Sequence, residues 1–226
     1  MMNFNFNISE LVFVMPEFFL LAAISTILLF DLYVKEEFKK YTYHLSQAAL
    51  FVTGLLAFNL IGESATIFSG TFVLDTLGST FKVFIAGFSI IALVYSRQYL
   101  SVHGLLRNEY FILALMSILG MLVMVSGHSL LTLYLGLEIM SLSLYALIAT
   151  ARDRAFAIEA ALKYFVLGAI ASGLLLYGMS MIYGITGNLD IAQIASFASL
   201  ATLESQETLI LNFGLVFLVI GVAFKL

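Results

Sequence analysis

The sequence predicts an all-α, polytopic membrane bundle of about seven helices, and three observations carry that expectation. Apolar runs that approach or pass the ~20 residues needed to cross hydrocarbon recur along the chain. Basic residues fall in alternate loops. Single charged residues stand inside the apolar runs, where each costs about 2.5–3.5 kcal/mol on insertion scales. Composition agrees, with 62% hydrophobic and 11% charged residues, against about 25% charged in a soluble domain.

The apolar runs place spans at about 11–34, 43–62, 74–95, 109–126, 129–150, 158–183 and 208–226, as one transmembrane domain over 1–226. Their apolar character all round marks membrane helices rather than amphipathic surface helices. Breakers occupy the gaps: Gly62 precedes a polar stretch, Gly127-His128-Ser129 makes a tight turn, and Gly184 and Gly187 follow the sixth span. The N-terminal MMNFNFNISE has no basic residue, and the first run is too long for a cleaved signal, so the first run reads as a retained span.

Orientation follows from the loops. The first has Lys35, Lys39 and Lys40, the third Arg97 and Arg107, the fifth Arg152 and Arg154. The N-terminus and the second, fourth and sixth loops have no Lys or Arg, and the sixth carries Asp190, Glu204 and Glu207. The positive-inside rule puts the N-terminus outside and loops one, three and five in the cytoplasm. In the sixth loop Leu189, Ile191, Ile194, Phe197 and Leu200 alternate with Asp190, Gln193, Ser196 and Ser199. A short interfacial helix and a packed loop both fit.

Several function classes fall away. The net charge of −4 is modest and unevenly placed, and suggests no nucleic-acid partner. With no cysteine, the chain forms no disulfide and holds no cysteine-ligated iron–sulfur cluster. No GxGxxG, Walker A or CxxCH motif occurs. Redox or nucleotide chemistry would belong to another subunit. His44, His103 and His128 lie at loops or span ends, with no metal-site spacing.

The intramembrane polar residues carry the functional signal. On the fifth span Tyr134, Glu138, Ser141 and Tyr145 fall at i, i+4, i+7 and i+11 and share one face. A mid-span carboxylate between hydroxyls suits a hydrated, proton-carrying interior; a Glu satisfied by a neighbouring helix is the structural alternative. On the sixth, Glu159 and Lys163 are spaced for a helical ion pair. Glu159 lies nearer the cytoplasmic interface, and Lys163 a turn deeper. Lys225 ends a long uncharged run and needs an acidic partner, for which Glu138 is the obvious candidate. On the third, Asp75 and Lys82 stand on one face with Ser79 and Ser89, too far apart for direct contact because two turns rise ~10–11 Å. That face reads as a polar stripe toward the bundle, with Asp75 near the outer interface. Glu17, behind Pro16 near the outer interface, reads as structural. Gly168 and Ser172 form a small-xxx-small pair for close packing.

The block NEYFILALMSILGMLVMVSGHSLLTLYLGLEIMSLSLYALIA, with AIEAALKYFVLGAIASGLLLYGMSMIYG, DTLGSTFKVFIAGFSIIALVYSRQYL and LNFGLVFLVIGVAFKL, resembles subunit N of the proton-pumping NADH:quinone oxidoreductases (respiratory complex I), in the antiporter-like membrane-arm family. The resemblance implies the first part of a fourteen-helix fold with two inverted five-helix repeats. Glu138 matches the family's fifth-helix glutamate, Lys225 its seventh-helix lysine and Lys163 a sixth-helix lysine. These three are the implied proton-transfer and coupling residues, with Tyr134, Ser141, Tyr145, Lys82 and Asp75 as a supporting polar face. The implied partners are other membrane-arm subunits, lipid and protons. FMN, iron–sulfur clusters and quinone are expected in partner subunits, and no cofactor in this chain. The expected location is a bacterial cytoplasmic membrane, with an organellar inner membrane as the alternative.

Related subunits and cation/proton antiporters typically carry Trp before the fifth-helix Glu. Leu137 stands there in this chain, which favours subunit N. The family chain is about twice as long, so a fragment is expected that lacks the eighth-helix lysine and the second repeat and does not pump alone. A monovalent cation/proton antiporter without redox coupling, and a structural subunit whose charges only specify packing, are the competing functions.

Overall fold

The computed structural model describes residues 8–34, 41–200 and 205–225. Lys35, Lys39, Lys40, Glu204 and Leu226 lie outside them.

Eight α-helices form among the described residues: α1 Met15–Tyr33, α2 Tyr41–Asn59, α3 Thr76–Val102, α4 Asn108–Ser126, α5 Leu130–Ile148, α6 Ala155–Thr186, α7 Ile191–Leu200 and α8 Ser205–Lys225. A 3-10 turn over Ile8–Val14 runs directly into α1, whose Pro16 sits where no intrahelical N–H is required. Among the described residues, six helical segments are long and apolar enough to cross a membrane; α2 is not one of them. His44 and Gln47 lower its hydropathy most, and Thr42, Ser46 and Thr53 add hydroxyls on the face that packs into the bundle. Ser46 and Thr53 satisfy their hydroxyls by donating to backbone carbonyls one turn back, Thr42 O and Ala49 O, each at 2.8 Å.

Two differences from the sequence reading have physical causes. Helix α3 continues past residue 95 to Val102, so Arg97 is helical rather than in a loop. No breaker intervenes before Gly104, and the Arg97 guanidinium lies 4.2 Å over the Tyr43 ring. Within the sixth loop, residues 191–200 form α7, started by Asp190 Oδ1 accepting from the Gln193 N–H at 2.9 Å.

The helices form two groups joined by the α4–α5 hairpin. In the first, α1–α4 surround a core of Leu20, Ile24, Leu50, Phe111, Leu115 and Leu122. Asp31 ties three of these helices together, accepting from Thr42 at 2.9 Å and Asn108 at 2.7 Å through the same oxygen. In the second group α6 packs on α5 and, closely, on α8. The backbones nearly touch at glycines: a Cβ on Gly178 would stand 2.6 Å from Gly214 O, and one on Gly120 2.5 Å from Gly136 O. Small residues let membrane helices approach this way.

At the end that the basic-loop pattern assigns to the outside, β1 Ala65–Ile67 pairs antiparallel with β2 Phe72–Leu74, Ile67 facing Phe72. The turn between them runs through positive φ at Phe68, Ser69 and Gly70. His128 N donates to Thr71 O at 3.0 Å and Leu130 N to Leu189 O at 2.9 Å, stitching the hairpin, the α4–α5 turn and the approach to α7. At the opposite end Arg107 meets Asp153 at 2.8 Å and Arg152 meets Glu109 at 3.6 Å, exposed pairs of small energetic weight.

Candidate functional site

Helix α5 carries Glu138 near its middle, and α8 carries Lys225 as its last residue. The α6–α8 approach brings α8 against α6, and Lys225 Nζ reaches Glu138 Oε1 in an ion pair. The two side chains are 5% and 17% exposed, so the pair is largely withdrawn from solvent and lipid. Removing one partner of such a pair leaves an uncompensated charge, which is why buried charges occur paired.

A third group completes the site. The Ser172 hydroxyl of α6 donates to the same Glu138 oxygen at 2.6 Å, with Gly168 O at 3.0 Å as its alternative acceptor. A carboxylate oxygen thus faces an ammonium and a hydroxyl from two other helices. The ammonium supplies the counter-charge and the hydroxyl a hydrogen bond that a carboxylate withdrawn from water requires. The sequence reading treated Ser172 as a packing residue. Its place one turn from Gly168, on the face turned to α5, was the available signal.

The remaining residues of the expected polar face divide. Ser141 turns its hydroxyl back to Leu137 O at 2.7 Å. Tyr145 is buried and meets the Tyr164 ring edge-on, 4.6 Å between centroids. Its hydroxyl occupies the space that a Cβ at Gly168 would fill, so the small-xxx-small pair admits a tyrosine with one residue and contacts Glu138 with the other. Tyr134 is half-buried one turn above Glu138.

Three residues stand elsewhere. Lys163 pairs with Glu159 at 2.6 Å on the open face of α6, 70% and 63% exposed, and does not join Glu138. Asp75 is the exposed N-cap of α3, its Oδ1 accepting from Gly78 N at 2.6 Å, rather than part of an inward stripe. Lys82 is buried, but its partner is Glu17 of α1. Among the described residues no three His, Asp or Glu side chains converge as a metal site would require.

The family model described as "NADH:quinone oxidoreductase/Mrp antiporter, TM" matches residues 127–226, the stretch that holds α5, α6 and α8. Along its whole length the chain is similar to NADH-quinone oxidoreductase subunit N of Ruthia magnifica subsp. Calyptogena magnifica, at 67% identity, covering 100% of this chain and 47% of that protein. Subunit N of Halorhodospira halophila is 48% identical, over 98% of this chain and 45% of the relative. The chain spans about half the length of the curated relatives it matches. Among solved structures, a chain of respiratory complex I from Thermus thermophilus with bound aureothin superposes with a TM-score of 0.71 at 25% identity, covering 92% of this chain and 43% of that one. A chain of the membrane-bound sulfane sulfur reductase, an archaeal respiratory membrane complex, superposes with a TM-score of 0.77 at 23% identity over 94% of this chain and 44% of that one, which shows the fold. The resemblance to NADH-quinone oxidoreductase subunit N read from the sequence is thus shown, and the fold is an antiporter-like multi-pass bundle.

Proposed function

We propose that this chain is part of a proton-translocating subunit of a membrane NADH:quinone oxidoreductase, and that Glu138 and Lys225 move the proton. The observation that carries this reading is the buried three-helix constellation of Glu138, Lys225 and Ser172. The chain holds no cysteine to ligate an iron–sulfur cluster; by the family resemblance, FMN, iron–sulfur centres and quinone belong to partner subunits. The bacterial relatives and the charged-loop pattern support a cytoplasmic membrane location.

While paired, Glu138 supplies the counter-charge that a desolvated Lys225 requires. Moving α8 away from α5, or placing a competing cation near Glu138, leaves the ammonium desolvated without its counter-charge. Its proton affinity then falls and the proton leaves. Return of the carboxylate restores the affinity. Quinone reduction drives the cycle only to the extent that it favours one of the two arrangements. In the assembled complex, Glu138→Gln and Lys225→Met are expected to depress proton translocation per NADH oxidised at normal assembly. Unchanged stoichiometry in both would remove the pair from the mechanism.

A non-redox cation/proton antiporter is the second reading, favoured by the family description that spans both classes. It uses the same pair. Sodium-dependent proton exchange in vesicles without NADH would support it, and Leu137 in place of the usual Trp weighs against it.

A further inference from the structure

The molecule contains a second buried ion pair, on helices that the reading above leaves unused. Glu17 of α1 and Lys82 of α3 meet at 2.5 Å, with side chains 6% and 1% exposed. Both helices pack on α2 and α4, so the pair joins them through the interior of the first group. The Phe72 ring of β2 lies 4.9 Å from Lys82 Nζ, which places the hairpin over the site. Around it stand polar atoms with no hydrogen-bond partner among the described residues: Glu17 Oε2, Ser79 Oγ and, at the same end of α4, Ser126 Oγ. Asp75, Ser79 and Lys82 follow one another at steps of four and three on α3. The buried Ser79 hydroxyl thus lies one turn from the buried Lys82 ammonium, on the side of the exposed capping carboxylate of Asp75, which stands just before the helix.

We propose that Glu17 and Lys82 form a second proton-holding site, which exchanges protons with the hairpin end of the bundle along Ser79 and Asp75. The proposal rests on the reading that the complex translocates protons. A proton passes from the Lys82 ammonium to Glu17: an N–H bond breaks, an O–H bond forms, and a neutral amine faces a neutral carboxylic acid. This internal transfer creates no net charge, and the pair need not separate; the release that follows leaves the site with one negative charge until the amine is reprotonated. The acid then yields its proton toward Ser79 and Asp75, and a proton from the aqueous phase restores the ammonium. Buried hydroxyls without a protein partner are the groups that internal water satisfies, and such water relays protons. A structural clamp between α1 and α3 is the alternative; it gives no role to the unpartnered oxygens.

The test is the double variant Glu17→Met with Lys82→Met in the assembled native complex, beside Glu138→Gln. The double variant leaves no unpaired charge, so a clamp replaced by apolar packing assembles and translocates normally. The expected result is normal assembly with a loss of protons translocated per electron pair. Unchanged stoichiometry in the double variant, with a loss in Glu138→Gln, overturns this site alone. Unchanged stoichiometry in both overturns the proton-translocation reading as well. If the double variant does not assemble, Glu17→Asp decides, since it keeps both charges and shifts one by a methylene. Slowed translocation with a displaced carboxyl stretch in infrared difference spectra of turnover supports the site; an unchanged rate and spectrum overturns it.

Discussion

Glu17–Lys82 and Glu138–Lys225 use the same two side chains in different surroundings. The first pair is closed in: its side chains are 6% and 1% exposed, an aromatic ring covers the ammonium, and both residues sit within continuous helices. The second lies between three helices and keeps a carboxylate 17% exposed. Helix α8 buries only Leu211, Gly214 and Gly221 against the rest of the described chain. Enclosure fixes the first pair, so charge can change there only by moving a proton. The second can also change by moving a helix. In the roles proposed above, the first pair is a stationary store and the second a separable switch.

That contrast can be broken at several points. The largest expected effect is from Lys82→Met alone, which strands Glu17 in the interior at a cost of about 3–5 kcal/mol. The measurement is the midpoint of unfolding in a denaturing-detergent titration. Lys225→Met should cost less, because Glu138 retains partial exposure and the Ser172 hydroxyl. Equal losses would abolish the distinction between closed and open sites.

Next is Gly178→Leu, which drives a side chain into Gly214 O and forces α6 from α8. Overpacking of this kind costs up to about 3 kcal/mol, and it should pull Lys225 from Glu138. The sharp expectation is coupled translocation lost while the α1–α4 group keeps its hydrogen-exchange protection. Ser172→Ala removes one charge-assisted hydrogen bond from Glu138, about 1.5 kcal/mol. It should slow translocation without abolishing it, as read from initial rates of proton uptake in vesicles. Smallest is Glu159→Gln, at an exposed helical pair with an expected effect of about 0–1 kcal/mol on stability. A severe assembly defect there would mean that a partner covers this face of α6.

The polar residues were unevenly legible in the sequence. Glu138 declared itself by depth, and Lys225 by its need for an acid. Their pairing followed because few mid-span acids were available. Lys163 also stood out by depth, yet the helix turns it to the open face, since position along a span says nothing about rotation about its axis. Glu17 looked like a residue of the interface, and Lys82 like a member of a stripe with Asp75. The fold instead closes Lys82 on Glu17 and leaves Asp75 to cap the helix it begins. Ser172 was visible only as a small residue.

What the sequence by itself determined is the set of helices and the alternation of their loops. Hydrocarbon length and the cost of unpaired backbone act on each segment separately, so each apolar run encodes its own helix. Even the longer α3 and the short α7 follow from local signals, the absence of a breaker before Gly104 and the capping carboxylate of Asp190. Which charge meets which was decided by tertiary structure, anticipated in the sequence only for Glu138 and Lys225 by the shortage of mid-span acids. Periodicity relates residues three and four apart, whereas Glu17 and Lys82, or Glu138 and Lys225, are brought together by the close approach of different helices. That approach depends on where glycines allow backbones to touch and which face each helix turns inward.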